Sequence, residues 1–165
     1  MQRRLWLLAI AIAVLSTFVF AILAQTQQKK EPMTLHARGE FDVTLKPQQA
    51  SDPASQIARM SIDKLFHGDL EGTSKGEMLT GSGTVKGSAG YVAMERVEGK
   101  LKGRSGSFVL QHNATMNRGV PQLNIIVVPD SGTGELEGLA GQMTIKITGG
   151  KHFYDFEYTL VEKVD

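Results

Sequence analysis

The chain has 165 residues, a formal net charge of +1 and no cysteine, which excludes disulfides, thiolate nucleophiles and cysteine metal sites. With Arg3 and Arg4 set aside together with the first two dozen residues, 16 basic residues face 17 acidic ones, a balance with no field to draw in nucleic acid. What remains is enough for one domain around a single core.

Met1–Arg4 is a short positive stretch, and Leu5–Ala24, LWLLAIAIAVLSTFVFAILA, is twenty residues without a charge. Residues 1–24 read as an export signal, either a cleaved signal peptide or a retained anchor. Signal-peptide apolar regions run about 7–15 residues, whereas about 20 span a bilayer. Ala24 is small enough for cleavage after it, Ile22 makes a poor small-x-small site, and a buried core helix would show a polar stripe. Either export reading predicts a periplasmic or secreted domain, touching a membrane only through an uncleaved N-terminal segment. Residues 25–33 are polar, contain Pro32 and form a linker to a folded domain over 34–163.

That domain opens with period-two alternation. In LHARGEFDVTL, Leu35, Ala37, Gly39, Phe41, Val43 and Leu45 share one face while His36, Arg38, Glu40, Asp42 and Thr44 share the other, which predicts a half-buried strand. A loop with a turn near Asp52 follows. Further strand-like runs lie at 57–70, 73–80, 85–101, 107–116, 122–128, 142–148 and 152–161, separated by glycine-rich turns. The total is about eight strands, with helix only in the leader.

One pattern recurs: GDLEG at 68–72, GKLKG at 99–103 and GELEG at 134–138. Each copy is a predicted hairpin corner whose leucine (Leu70, Leu101, Leu136) points inward while its charges face water, and whose glycines supply positive φ or close backbone approach. Successive corners make a meandering antiparallel sheet that removes its edges by closing, so the expected fold is all-β, a single antiparallel, roughly eight-stranded closed or nearly closed barrel. A phosphate cradle is excluded because no G-x-x-x-x-G-K-[ST] occurs and no helix follows any copy.

The stretches GDLEGTSKGEML (68–79), KGSAGYVAMERVEGKLKGRSGSFVLQH (86–112), VVPDSGTGELEGLAG (127–141) and HFYDFEY (152–158) resemble an uncharacterised bacterial domain family whose folds are similar to the allene oxide cyclase barrel. The resemblance spans roughly Met33 to Leu160 and implies a small barrel with an apolar lumen. No cyclase catalytic residue maps onto this chain.

Alternation also singles out polar residues that face the lumen. Glu95 is the only charge in the row Ala89, Tyr91, Ala93, Val97, Gly99 and Leu101, and His112 interrupts Phe108, Leu110, Ala114 and Met116 on the next strand. The second strand adds Met60, Ile62, Lys64 and Phe66, and the last adds His152, Tyr154, Phe156, Tyr158 and Leu160. Glu95 and His112 are therefore expected to meet inside the barrel, with Tyr91 and either Tyr154 or Tyr158 nearby. The pair either serves a ligand, as acid and base or as an orienting group, or forms a satisfied hydrogen-bonded pair that fixes strand register.

Other motifs carry less. Asp130-Ser131-Gly132-Thr133 is similar to an aspartic-protease loop, but those enzymes need two such carboxylates and this copy suits an ordinary turn. His36, His67, His112 and His152 show no metal-ligand spacing. No cofactor is implied. The function expected is binding of a small, mostly apolar molecule in the lumen; the alternatives are an isomerase or cyclase-like enzyme using Glu95 and His112, and a non-catalytic scaffold with a filled barrel.

Overall fold

The computed structural model describes residues 33–49 and 56–161; the leader, most of the linker and the turn expected near Asp52 lie outside the described residues. Alternating side chains build eight strands: β1 (Leu35–Gln48), β2 (Ile57–Gly68), β3 (Leu70–Ser82), β4 (Ala89–Leu101), β5 (Arg104–Asn117), β6 (Val120–Val127), β7 (Leu139–Thr148) and β8 (Lys151–Leu160). Each pairs antiparallel with its neighbour in sequence, and β8 returns to β1 with Tyr154 opposite Gly39, closing the barrel. The run expected at 57–70 is divided at Asp69, and the segment before Ala89 is a turn rather than strand.

The barrel has two unlike ends. The β2–β3, β4–β5 and β6–β7 connections gather at one, together with the start of β1; the β1–β2, β3–β4, β5–β6 and β7–β8 connections gather at the other. All three copies of the glycine–leucine pattern lie at the first end, and Leu70, Leu101 and Leu136 are all buried there. They join Phe66, Phe108, Phe156 and Leu139 in one large core cluster that plugs this end. Phe156 stacks between Phe108 and Tyr158, with ring centroids 5.7 and 5.3 Å apart.

The first two copies are hairpin corners, and Gly68 takes the φ of 98° that its turn requires. The third differs from expectation: Gly134–Leu136 is a short 3-10 turn within a longer β6–β7 connection. The residues before it run beside the free edge of β5, where side chains stand in for a strand. Ser131 Oγ accepts from the Val109 amide at 3.0 Å, and Thr133 Oγ1 accepts from the Ser107 amide at 3.1 Å. Asp130 sits at a left-handed turn position, φ 59°. The D-S-G-T stretch thus completes the sheet wall.

Candidate functional site

Along β2, β4 and β5 the inward rows change character at one level. Lys64 lies between Phe66 of the plug and Ile62, Glu95 between Val97 of the plug and Ala93, and His112 between Leu110 of the plug and Ala114. Three polar side chains on the plug-facing floor of the remaining lumen therefore converge. Lys64 Nζ donates to Glu95 Oε2 at 2.7 Å, the Ser74 hydroxyl donates to Glu95 Oε1, and His112 Nε2 lies 2.9 Å from Oε2. Glu95 is fully buried, and Lys64 and His112 nearly so.

The backbone explains how Glu95 on β4 reaches Lys64 on β2 across the strand between them. Gly76 of β3 stands directly opposite Glu95. A Cβ there would come within 2.6 Å of the Met94 carbonyl oxygen and 3.2 Å of the Glu95 Cβ, so only glycine leaves the carboxylate its path.

Burial would push the Glu95 pKa up, but the His112 ring, the Lys64 ammonium and the Ser74 hydroxyl outweigh it and hold the group at about 2, below the ordinary 4.5. The His112 contact is close in distance but off the line of a hydrogen bond. Nε2 is left as a buried atom with no directed partner. The Lys64 ammonium also lies over the Phe41 ring, 4.8 Å from its centroid. One of its three protons meets Glu95, which leaves donors for a further group.

Beyond this floor the barrel is hollow. A cavity of about 400 Å³ is lined by Phe41, Val43, Met78, Tyr91, Ala114 and Ile145 among others, with Lys64 and His112 as its ionisable floor. Tyr91 is half-buried in its wall, and burial, followed by the Glu95 charge, raises its phenol above 10.0.

Tyr154 and Tyr158, expected beside the pair, are elsewhere. The Tyr154 hydroxyl accepts from the Leu70 amide at 2.9 Å and donates to the His67 carbonyl at 3.1 Å, tying the first corner down, and Tyr158 stacks on Phe156 within the plug. Neither lines the cavity. Lys64 and Ser74 are the members that alternation does not assign to the pair with Glu95 and His112. Lys64 carried a signal, as the one charge in the row Met60, Ile62, Phe66; Ser74, small and between two glycines, sits in the G-x-S-x-G stretch GTSKG at 72–76, a pattern of strand-to-helix elbows that does not fit its place inside β3. Among the described residues no cluster of histidine and acidic side chains could hold a metal ion.

Residues 37–158 match the family described as a protein of unknown function, DUF3224, and the chain belongs to that family. A crystal structure of a DUF3224 protein of unknown function from Shewanella oneidensis MR-1 is similar to it, with 48% identity and a TM-score of 0.74 over 79% of this chain and 100% of that one. No curated protein matches the chain.

Proposed function

We propose that this family member is an exported lumen binder, whose barrel takes a small, mostly apolar molecule into its hollow half with any polar end of that molecule toward Lys64 and His112. The observation that carries the reading is the cavity of about 400 Å³ above a buried polar floor. Small-molecule sites run roughly 300–1,000 Å³, with apolar walls and a few convergent polar groups. A filled scaffold would leave no such space. Export rests on the uncharged run Leu5–Ala24 behind Arg3 and Arg4.

The enzyme reading, with Glu95 and His112 as acid and base, draws on the undirected Nε2 of His112 at the cavity floor. A carboxylate held at about 2 is a weak proton acceptor at neutral pH, which favours Glu95 as a fixed counter-charge and the cavity as a binding site.

Native mass spectrometry of the protein recovered from its own cell envelope tests the reading. The expected result is a co-purifying small molecule that is lost in Ala114→Trp, a variant that fills the cavity. A barrel that carries no molecule and takes up no environment-sensitive apolar dye overturns it. A reporter fused after Asp165 that is active only in the cytoplasm overturns export.

A further inference from the structure

The open end of the barrel carries a group of exposed apolar side chains. At the open end Leu45, Val85, Met116, Val120, Leu123 and Ile147 are 39–70% exposed. Hairpin tips are ordinarily polar, so Val85 and Val120 in or beside tips pay a hydration cost that nothing in the barrel relieves. Four of these residues also line the cavity, so the apolar lumen continues onto the rim.

The connections at the two ends differ in charge. The described connections at the open end carry Lys86 and Arg118 and no acidic residue; Asp52, in the sequence between β1 and β2, lies outside the described residues. At the plugged end the connections carry Asp69, Asp130, Glu135 and Glu137 against Lys102. Arg59 and Lys151 near the open end are paired with Glu77 and Glu40, whereas Lys46, Lys86, Arg118 and Lys146 make no ion pair among the described residues.

Two tips are tied into one platform. The Gly119 amide donates to the Gly87 carbonyl at 2.9 Å, and the Arg118 amide donates to Ser88 Oγ at 3.2 Å. Val85, Lys86, Arg118 and Val120 are thereby presented together on two linked hairpins.

We propose that this open end docks on the surface of an anionic lipid bilayer, whether or not the lumen is occupied. Apolar tips that enter the headgroup–acyl boundary beside cations that meet anionic headgroups are the composition of an interfacial surface. A nucleic acid would satisfy the cations and leave the apolar tips in water. Docking in this orientation sets the mouth of the cavity against the lipid and keeps the acidic end away from it.

The test uses residues 32–165. The solved relative is a folded barrel whose whole chain is covered by 79% of this one, so the barrel stands without the leader, which would itself enter vesicles. Co-sedimentation with vesicles of phosphatidylcholine and phosphatidylglycerol is expected, with little binding to phosphatidylcholine alone and release as salt rises. Lys86→Ala and Arg118→Ala should each lower the partition coefficient about fivefold, the worth of one basic residue at an anionic surface. Lys100→Ala and Lys102→Ala at the plugged end should leave it unchanged, as should the cavity-filling Ala114→Trp, which keeps failure of the lumen reading distinct from failure of this one. An environment-sensitive dye on Val120→Cys should shift to the blue on anionic vesicles and one on Lys100→Cys should not. Absence of vesicle binding, equal binding to neutral vesicles, equal loss from variants at both ends, or binding to nucleic acid in place of vesicles overturns the proposal.

Discussion

The same eight strands build a filled half and a hollow half. On the plugged side the inward rows hold Phe66, Val97, Phe108, Leu110 and Phe156; toward the mouth, β4 and β5 offer Ala89, Ala93 and Ala114. An eight-stranded barrel is just wide enough for large side chains to fill. Where consecutive strands turn small residues inward the backbone holds its circle and the space stays open. Lys64, Glu95 and His112 stand at the change of level, the charges of Lys64 and Glu95 met largely by each other and the Ser74 hydroxyl. The plug supplies stability, and that frees the other half to be empty.

The sharpest way to break this comparison is to truncate one large residue on each side. Phe108→Ala should cost about 3–5 kcal/mol, because a rigid plug collapses poorly around the hole. Met78→Ala, at a wall that already borders free space, should cost less than half as much by urea denaturation. Equal losses would mean that the hollow half also holds the fold.

The boundary itself gives the next effect. Glu95→Gln leaves the Lys64 ammonium buried beside a neutral group and should cost about 3 kcal/mol, whereas pairing it with Lys64→Met should recover most of that loss. A double variant no more stable than Glu95→Gln would show that Lys64 is not held by Glu95.

Acid probes the same level. The folded pKa of Glu95, about 2, lies below its ordinary 4.5, so its contribution to stability is present above about pH 4.5 and is lost as pH falls from there toward 2. The loss should reach about 3 kcal/mol, at about 1.4 kcal/mol per pK unit. Glu95→Gln should flatten this part of a stability-against-pH curve. Smallest of all, Ala114→Leu should change stability by within about 1 kcal/mol, since it grows into the cavity without displacing packed atoms.

Alternation made the walls of the barrel and two members of the cluster legible, because a charge in an apolar row is visible without coordinates. It could not give height. Tyr154 shares a face with the lumen residues, yet the stagger between strands carries it to the plug, where its hydroxyl closes the first corner. The third glycine–leucine copy misled for a related reason. The local chemistry of Gly134–Gly138 is that of a hairpin tip, but the hydroxyls of Ser131 and Thr133 had already taken the edge of β5, so the chain turns through a 3-10 segment instead. Ser74 carries no excess charge or size, and its G-x-S-x-G setting, GTSKG at 72–76, points to a strand-to-helix elbow and not to a place inside β3 against Glu95.

That substitution of hydroxyls for a strand reaches beyond the loop. β6 and β7 share a single cross-strand pair, Ile126 opposite Gln142, while β7 and β8 are laddered from Leu139–Leu160 to Thr148–Lys151. The barrel is therefore a long ribbon, β1 to β6, with a two-stranded flap hinged to it through the β8–β1 ladder. In native-state hydrogen exchange the amides on the β6 side of β7 should be the first to open, and the flap should come away as one cooperative unit before the ribbon unravels. In refolding, docking of the flap should come last, because its ladder to β1 joins the two ends of the chain and bears the largest loop-closure cost.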